Sequence, residues 1–206
     1  MIKTFLISFA AIFFIVDPIG VVPLFLSMTA KDSPEKCKAM ARRACLTAGG
    51  VMVFFAVCGS LVFQIFSVTL AAFRVAGGLL LLITALDMLR AQNVSTRTSP
   101  EEEQESETRD DIAIVPLALP LLAGPGAIAT GMVLMAEHGK DITGAGAVVC
   151  AILLTMAIAY LLLSSAQQVK KLLGKTGIAI LERIFGLILA AIAVQFIFDG
   201  ARELLR

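Results

Sequence analysis

Apolar runs of about bilayer length recur along the chain, separated by short polar intervals, at 4–28, 41–66, 72–89, 112–136, 143–166 and 178–204. A hydrocarbon core about 30 Å thick takes roughly 20 helical residues to cross, so the pattern predicts six transmembrane helices. The first run is too long for a signal peptide, contains Asp17 and has no convincing cleavage site, and it reads as a retained helix. Ser33-Pro34-Glu35, an N-cap with proline in the first helical position, predicts that the second helix begins before its apolar run.

Two of the runs are interrupted near their middles, the first by Asp17-Pro18-Ile19-Gly20 and the fourth by Gly124-Pro125-Gly126-Ala127. Proline removes a backbone donor and excludes the carbonyl one turn earlier. Lipid offers no replacement hydrogen bond, so backbone freed at that depth needs protein, water or a ligand. A pair of broken helices in matching places of two halves is the sequence pattern of a secondary transporter that binds its substrate near the midplane.

The halves are separated by a polar stretch, 91–111, which includes Glu101-Glu102-Glu103-Gln104-Glu105-Ser106-Glu107 and reads as a solvated linker. Residues 1–90 and 112–206 then form two three-helix repeats. Helix three opens with Arg74-Val75-Ala76-Gly77 and helix six with Arg183-Ile184-Phe185-Gly186. Pro18 and Arg74 are 56 residues apart and Pro125 and Arg183 are 58 apart, a register that a duplicated unit keeps. Lysine and arginine concentrate after helix one (Lys31, Lys36, Lys38, Arg42, Arg43), after helix three (Arg90, Arg97, Arg109) and before helix six (Lys170, Lys171, Lys175, Arg183). The positive-inside rule makes these loops cytoplasmic and both termini periplasmic. With three helices per unit the repeat is inverted. The expected fold is therefore all-α, a 3+3 inverted repeat of six transmembrane helices with helices one and four broken. Small residues about a turn apart, Ala44, Ala48 and Gly49 in helix two and Gly186, Ala190 and Ala193 in helix six, are expected at close helix contacts.

Composition narrows the function classes. The chain is 58% hydrophobic and 16% charged with a mean hydropathy of +0.91, too apolar for a soluble domain. A net charge of +1 and the absence of a basic face interleaved with aromatics argue against nucleic acid. Cys37, Cys45, Cys58 and Cys150 have neither metal-ligand nor disulfide-framework spacing. No zinc-protease motif, serine–histidine pairing or clustered carboxylates point to an enzyme, and neither a metal nor a cofactor is expected.

The chemistry of the breaks follows from the inversion. Helices restarting after Pro18-Ile19-Gly20 and after Pro125-Gly126 run in opposite directions, so their N-termini meet near the midplane with open N–H groups and partial positive charge. Such a site suits a carboxylate, with Gly20, Gly124 and Gly126 admitting a small ligand to the main chain and Thr130 offering a hydroxyl. Asp17 supplies the opposite charge and would hold an ammonium, a proton or sodium, or would simply cap the restarted helix. The expected substrate is small and amphoteric, bound by Asp17, Pro18, Ile19, Gly20, Gly124, Pro125, Gly126, Ala127 and Thr130, with Asp17 as the coupling group for H+ or Na+. Arg74 and Arg183 are candidates either for gates or for snorkelling to headgroups. Gln195 is a candidate either for the cavity wall or for an interhelical hydrogen bond. His138 falls in a short external loop, which disfavours a buried proton relay.

Two stretches carry a family resemblance: Asp17-Pro18-Ile19-Gly20-Val21-Val22-Pro23, and residues 116–130, Pro-Leu-Ala-Leu-Pro-Leu-Leu-Ala-Gly-Pro-Gly-Ala-Ile-Ala-Thr. The chain resembles the MarC (UPF0056-type) family, also called the neutral amino acid transporter family, over nearly its whole length. The resemblance implies a six-helix protein of the bacterial inner membrane, similar to carriers of glycine and alanine, in a superfamily that includes lysine exporters. An exporter or channel for another small metabolite is the alternative. Import or export and the oligomeric state, homo-oligomer included, stay open.

The topology has a direct check. In a variant without the native cysteines, Glu203→Cys is expected to react with an impermeant maleimide added to intact cells. Ser106→Cys should react only after lysis, and labelling of Ser106→Cys in intact cells would overturn the orientation.

Overall fold

Every regular element is helical among the residues that the computed structural model describes, 2–30, 32–90, 113–139 and 141–205. The linker and Lys31, Arg97 and Arg109 of the charge pattern lie outside them. The elements are α1 (Ile2–Val16), α2 (Val21–Met28), α3 (Pro34–Ile65), α4 (Leu70–Arg90), α5 (Ala113–Leu122), α6 (Pro125–His138), α7 (Ile142–Ser164) and α8 (Ala166–Leu204). Four of them, α3, α4, α7 and α8, contain stretches long and apolar enough to cross a membrane. There are six spans if the bent pairs α1–α2 and α5–α6 each count as one.

Both expected breaks are present. The axis turns by 43° between α1 and α2 and by 57° between α5 and α6. The fourth run is more irregular than a single break requires, because Pro116 and Pro120 stand four residues apart inside α5. A residue before proline is driven out of the helical region. Accordingly Val115 (φ −127°, ψ 124°) and Leu119 (φ −131°, ψ 122°) are extended, and the Val115–Pro116 and Leu119–Pro120 bonds are cis. The segment closes with Ala123 N–H donating to the Ala118 carbonyl at 2.9 Å, a wider loop than an α-turn.

The helix ends follow local chemistry. The Ser33 hydroxyl accepts from Lys36 N–H at 3.3 Å and its carbonyl from Cys37 N–H at 2.9 Å, so α3 starts at Pro34 as its sequence predicts. At 32 residues, about 48 Å at 1.5 Å per residue, α3 exceeds the hydrocarbon thickness and carries its basic first turns beyond it. Helix six, expected to begin at 178, is preceded by helix from Ala166, and only Gly174 (φ 63°, ψ 177°) breaks the run. That left-handed conformation is open to glycine at little cost, and it separates a short segment bearing Lys170 and Lys171 from the apolar span.

Packing joins the two halves of the chain rather than sealing each by itself. α4 lies along α8, α3 packs on α7, α6 and α5, and α1 packs on α7, while α4 touches α6 and α2 touches α8. The α4–α8 contact is made at glycines. A Cβ on Gly78 would stand 2.9 Å from the Ala193 carbonyl oxygen and 2.7 Å from Ile197 Cγ1. One on Gly186 would stand 3.1 Å from the Ala85 oxygen and 3.3 Å from Leu89 Cγ. The partners of each glycine lie seven and eleven residues beyond the other, so the contact is reciprocal in register. The small residues expected at close contacts behave accordingly: Ala44, Ala48, Gly186 and Ala193 are buried, and a Cβ on Gly49 would press on Met156.

Gly186→Leu is expected to cost about 1–3 kcal/mol by overpacking against Ala85 and Met88. Gly146→Leu on α7, where a Cβ meets nothing within 4 Å, should be neutral or slightly stabilising. Thermal unfolding of the two variants in the same detergent compares them.

Candidate functional site

The first break is built around one carboxylate. Asp17 is buried, 2% exposed, and takes φ 47° just past the end of α1, where its N–H still donates to the Phe13 carbonyl at 3.0 Å. Aspartate tolerates this left-handed conformation better than larger side chains do. Its Oδ1 accepts from Gly20 N–H at 3.1 Å and its carbonyl from Val21 N–H at 3.3 Å, while Val22 N–H donates to the Ile19 carbonyl at 3.1 Å. The side chain therefore closes the turn across Pro18. Gly20 leaves room for that carboxylate, because a Cβ there would collide with the Asp17 oxygens. Pro18 is buried, and Ile19 and Gly20 are half-buried.

The second break is closed differently. Gly124 is the N-cap of α6 with φ −70° and ψ 164°, Pro125 occupies the first turn, and Ile128 N–H donates to the Gly124 carbonyl at 3.0 Å. No side chain caps this terminus, which leaves the first-turn N–H groups of Gly126 and Ala127 without an intrahelical partner. The expected pair of equivalent helix N-termini is thus unequal: the donors of α2 are used by its own turn and those of α6 are not. Gly126 and Ala127 are buried, Gly124 is half-buried and Pro125 is exposed. The Thr130 hydroxyl, 1% exposed, donates to the Gly126 carbonyl at 2.9 Å and keeps its lone pairs as acceptors.

α1 and α6 pack together beside the two breaks. A Cβ on Gly126 would lie 2.9 Å from Ile15 Cδ1, two residues before Asp17, and 3.5 Å from Leu81 of α4. Phe13 and Phe14, on the last turn of α1, stack edge-on against Phe185 of α8, with ring centroids 6.0 and 5.0 Å apart. Ile15, Leu81 and Phe185 wall the region, although as apolar residues among many they carry no distinguishing sequence signal. Two surface grooves, one between α3 and α7 and one between α3, α6 and α7, include no residue of either break.

The remaining candidates lie elsewhere. Arg74, at the start of α4, has a side chain only 16% exposed and pairs with Glu137 of α6 at 2.6 Å and Glu203 of α8 at 2.9 Å. It ties three helix ends together rather than snorkelling alone. Topology already puts those three residues at one end of the bundle, a signal that sequence reasoning had available and did not use. Arg183 is exposed and does not share that environment. Gln195 is also exposed and donates to Asp199 at 2.9 Å, one turn along its own helix rather than across to another helix. Among the described residues no three His, Cys, Asp or Glu side chains converge as a metal site.

Bent apolar helix pairs, packed among longer spans around a buried acid and open backbone donors, define an all-α polytopic membrane protein with two discontinuous helices. The chain belongs to the MarC family of integral membrane proteins, which it matches over residues 2–205. It is 42% identical to a UPF0056 membrane protein of Methanocaldococcus jannaschii over 98% of this chain and 97% of the relative. It is 36% identical to one of Aquifex aeolicus (98% and 94%) and 35% identical to YvbG of Bacillus subtilis (94% and 92%). No solved structure matches it.

The contact between the breaks makes a double-mutant prediction. Gly126→Ala should destabilise the protein by about 1–3 kcal/mol, Ile15→Ala by about 2–5 kcal/mol, and the pair by clearly less than the sum, because the cavity left by Ile15 receives the new methyl. Additive losses in unfolding experiments would separate the two residues.

Proposed function

We propose that this protein is a secondary transporter of small neutral amino acids whose substrate lies between the two breaks. The observation that carries the reading is the contact of the broken helices at Ile15 and Gly126, with a buried carboxylate, Asp17, two residues beyond Ile15 and uncapped N–H groups in the first turn of α6. The substrate carboxylate would take the Gly126 and Ala127 N–H groups, with Gly124 and Pro125 shaping the approach and Thr130 accepting from the substrate ammonium. Asp17, held by Pro18, Ile19 and Gly20, would face the ammonium or a coupling H+ or Na+. Ile15 fills the notch over Gly126, so substrate entry requires this side chain to move.

An inverted repeat of residues 1–90 and 112–206 supports alternating access. The reciprocal Gly78 and Gly186 contacts support it in turn, being the isologous pattern of a two-fold axis. So do the mirrored pairings, α1 on α7 with α5 on α3, and α4 on α6 with α8 on α2. With the basic loops cytoplasmic, both termini are periplasmic and the Arg74 ion pairs lie on the periplasmic side.

Flux of labelled glycine and alanine into proteoliposomes, with sodium and proton gradients imposed separately, tests the reading. Asp17→Asn retains an oxygen acceptor for Gly20 N–H and tolerates positive φ, so folding should change by less than about 1 kcal/mol. Gradient-driven accumulation should fall at least tenfold. Accumulation equal to the parent at every pH and sodium concentration would reduce Asp17 to a cap. Gly126→Val should weaken binding of every substrate, with folding verified in parallel because Ile15 must also yield.

A further inference from the structure

The groove between α3 and α7 lies apart from both breaks and has a volume of about 240 Å3. Gly49 and Gly50 of α3 and Leu153 and Met156 of α7 are among its walls, and Arg42 and Tyr160 belong to its lining. Its shape comes from adjacent glycines with opposite surroundings. A Cβ on Gly49 would stand 3.2 Å from Met156 Cγ, so the helices close there, whereas one on Gly50 meets nothing within 4 Å. In a membrane-spanning bundle, an apolar surface groove of this kind opens onto acyl chains rather than water.

Charge selects among the lipids. Arg42 lies eight residues, about 12 Å, before Gly50, with Lys38 a further turn toward the basic end of α3. Both are exposed, they share a helix face at i and i+4, and neither forms an ion pair among the described residues. The nearby Asp32 is engaged by Lys36 at 2.7 Å. A guanidinium matches phosphate oxygens in a bidentate fork, and a tyrosine suits the boundary between headgroup and hydrocarbon. Basic pockets between transmembrane helices take anionic headgroups for these reasons.

We propose that this groove is a binding site for one anionic phospholipid, its phosphate held by Arg42 and Lys38 and one acyl chain lying along Gly50 between α3 and α7. The site is independent of the transport reading and of the orientation of the chain. The two cations give the site its preference for anionic over zwitterionic headgroups, and the space beside Gly50 gives it its affinity for the chain.

Spin-labelled phosphatidylglycerol and phosphatidylcholine, compared by electron paramagnetic resonance on the full-length protein in bilayers, provide the test. The protein should immobilise phosphatidylglycerol about fivefold or more in preference to phosphatidylcholine. Arg42→Gln should remove most of that preference, and Arg42→Lys should restore part of it. Gly50→Phe should release the immobilised lipid of both classes without lowering the unfolding temperature, while Gly146→Phe, at the other open glycine of the α3–α7 pair, should leave it in place. Retention of the preferred lipid by folded Gly50→Phe would overturn the site. So would an equal loss of preference in Lys170→Gln, which would mean that general surface charge sets it.

Discussion

Backbone polarity inside a hydrocarbon layer is the constraint on which this structure depends. A straight helix satisfies its own N–H and carbonyl groups, and each break exposes several of them where lipid cannot help. At the first break the chain answers with Asp17, whose side chain and main chain together take up Gly20 and Val21. At the second it relies on proline, which has no N–H to satisfy, and on an extended Gly124 as the cap. The long elements α3, α4, α7 and α8 cover much of both irregular regions, although Pro125 and Val115 stay exposed. Val16, Val22, Leu121, Leu122 and Ala127 around the breaks are among the most buried residues of the chain.

These long helices hold together by close approach. Lipid tails are as apolar as leucine, so burial from lipid gives little drive for helices to associate, and packing contact must supply it. Gly78 and Gly186 let α4 and α8 come near enough for a side chain of one helix to rest against backbone of the other, and Gly200 repeats the arrangement against Ala71. At one end Arg74 adds ionic contacts to Glu137 and Glu203. Those contacts fix the far end of α6, the helix whose near end carries the open donors, to the same pair of helices. Any displacement of α6 relative to α4 and α8 must therefore break or carry along this cluster.

Much of the fold was legible in the sequence because membrane crossing imposes a length and a polarity that composition alone displays. The Ser33 cap and the Pro18 and Pro125 breaks follow from single residues with strong local consequences. What was not legible depended on contacts across the chain. The Gly174 kink inside a continuous helical run and the extended residues before Pro116 and Pro120 required weighing local breakers against a strong apolar pattern, and the breakers won in α5. Ile15 over Gly126 and Phe185 against α1 have no signature beyond hydrophobicity. Gln195 is polar in an apolar helix, yet Asp199 one turn on takes its hydrogen bond locally, so polarity alone could not decide its role.

The inequality of the two breaks bears on how a buried acid can serve two purposes. Asp17 uses one carboxylate oxygen to close its turn, and Gly20 leaves space at that carboxylate that no other residue type would. Under the transporter reading, binding of a cation or a proton to this group would alter the strength of its bond to Gly20 N–H, since a charged acceptor holds a hydrogen bond about twice as strongly as a neutral one. The geometry of the first break would then respond to ion occupancy directly, with no relay from a distant site. The second break has no titrating side chain among its own residues, so its response would have to pass through Ile15 and the packing of α1 against α6.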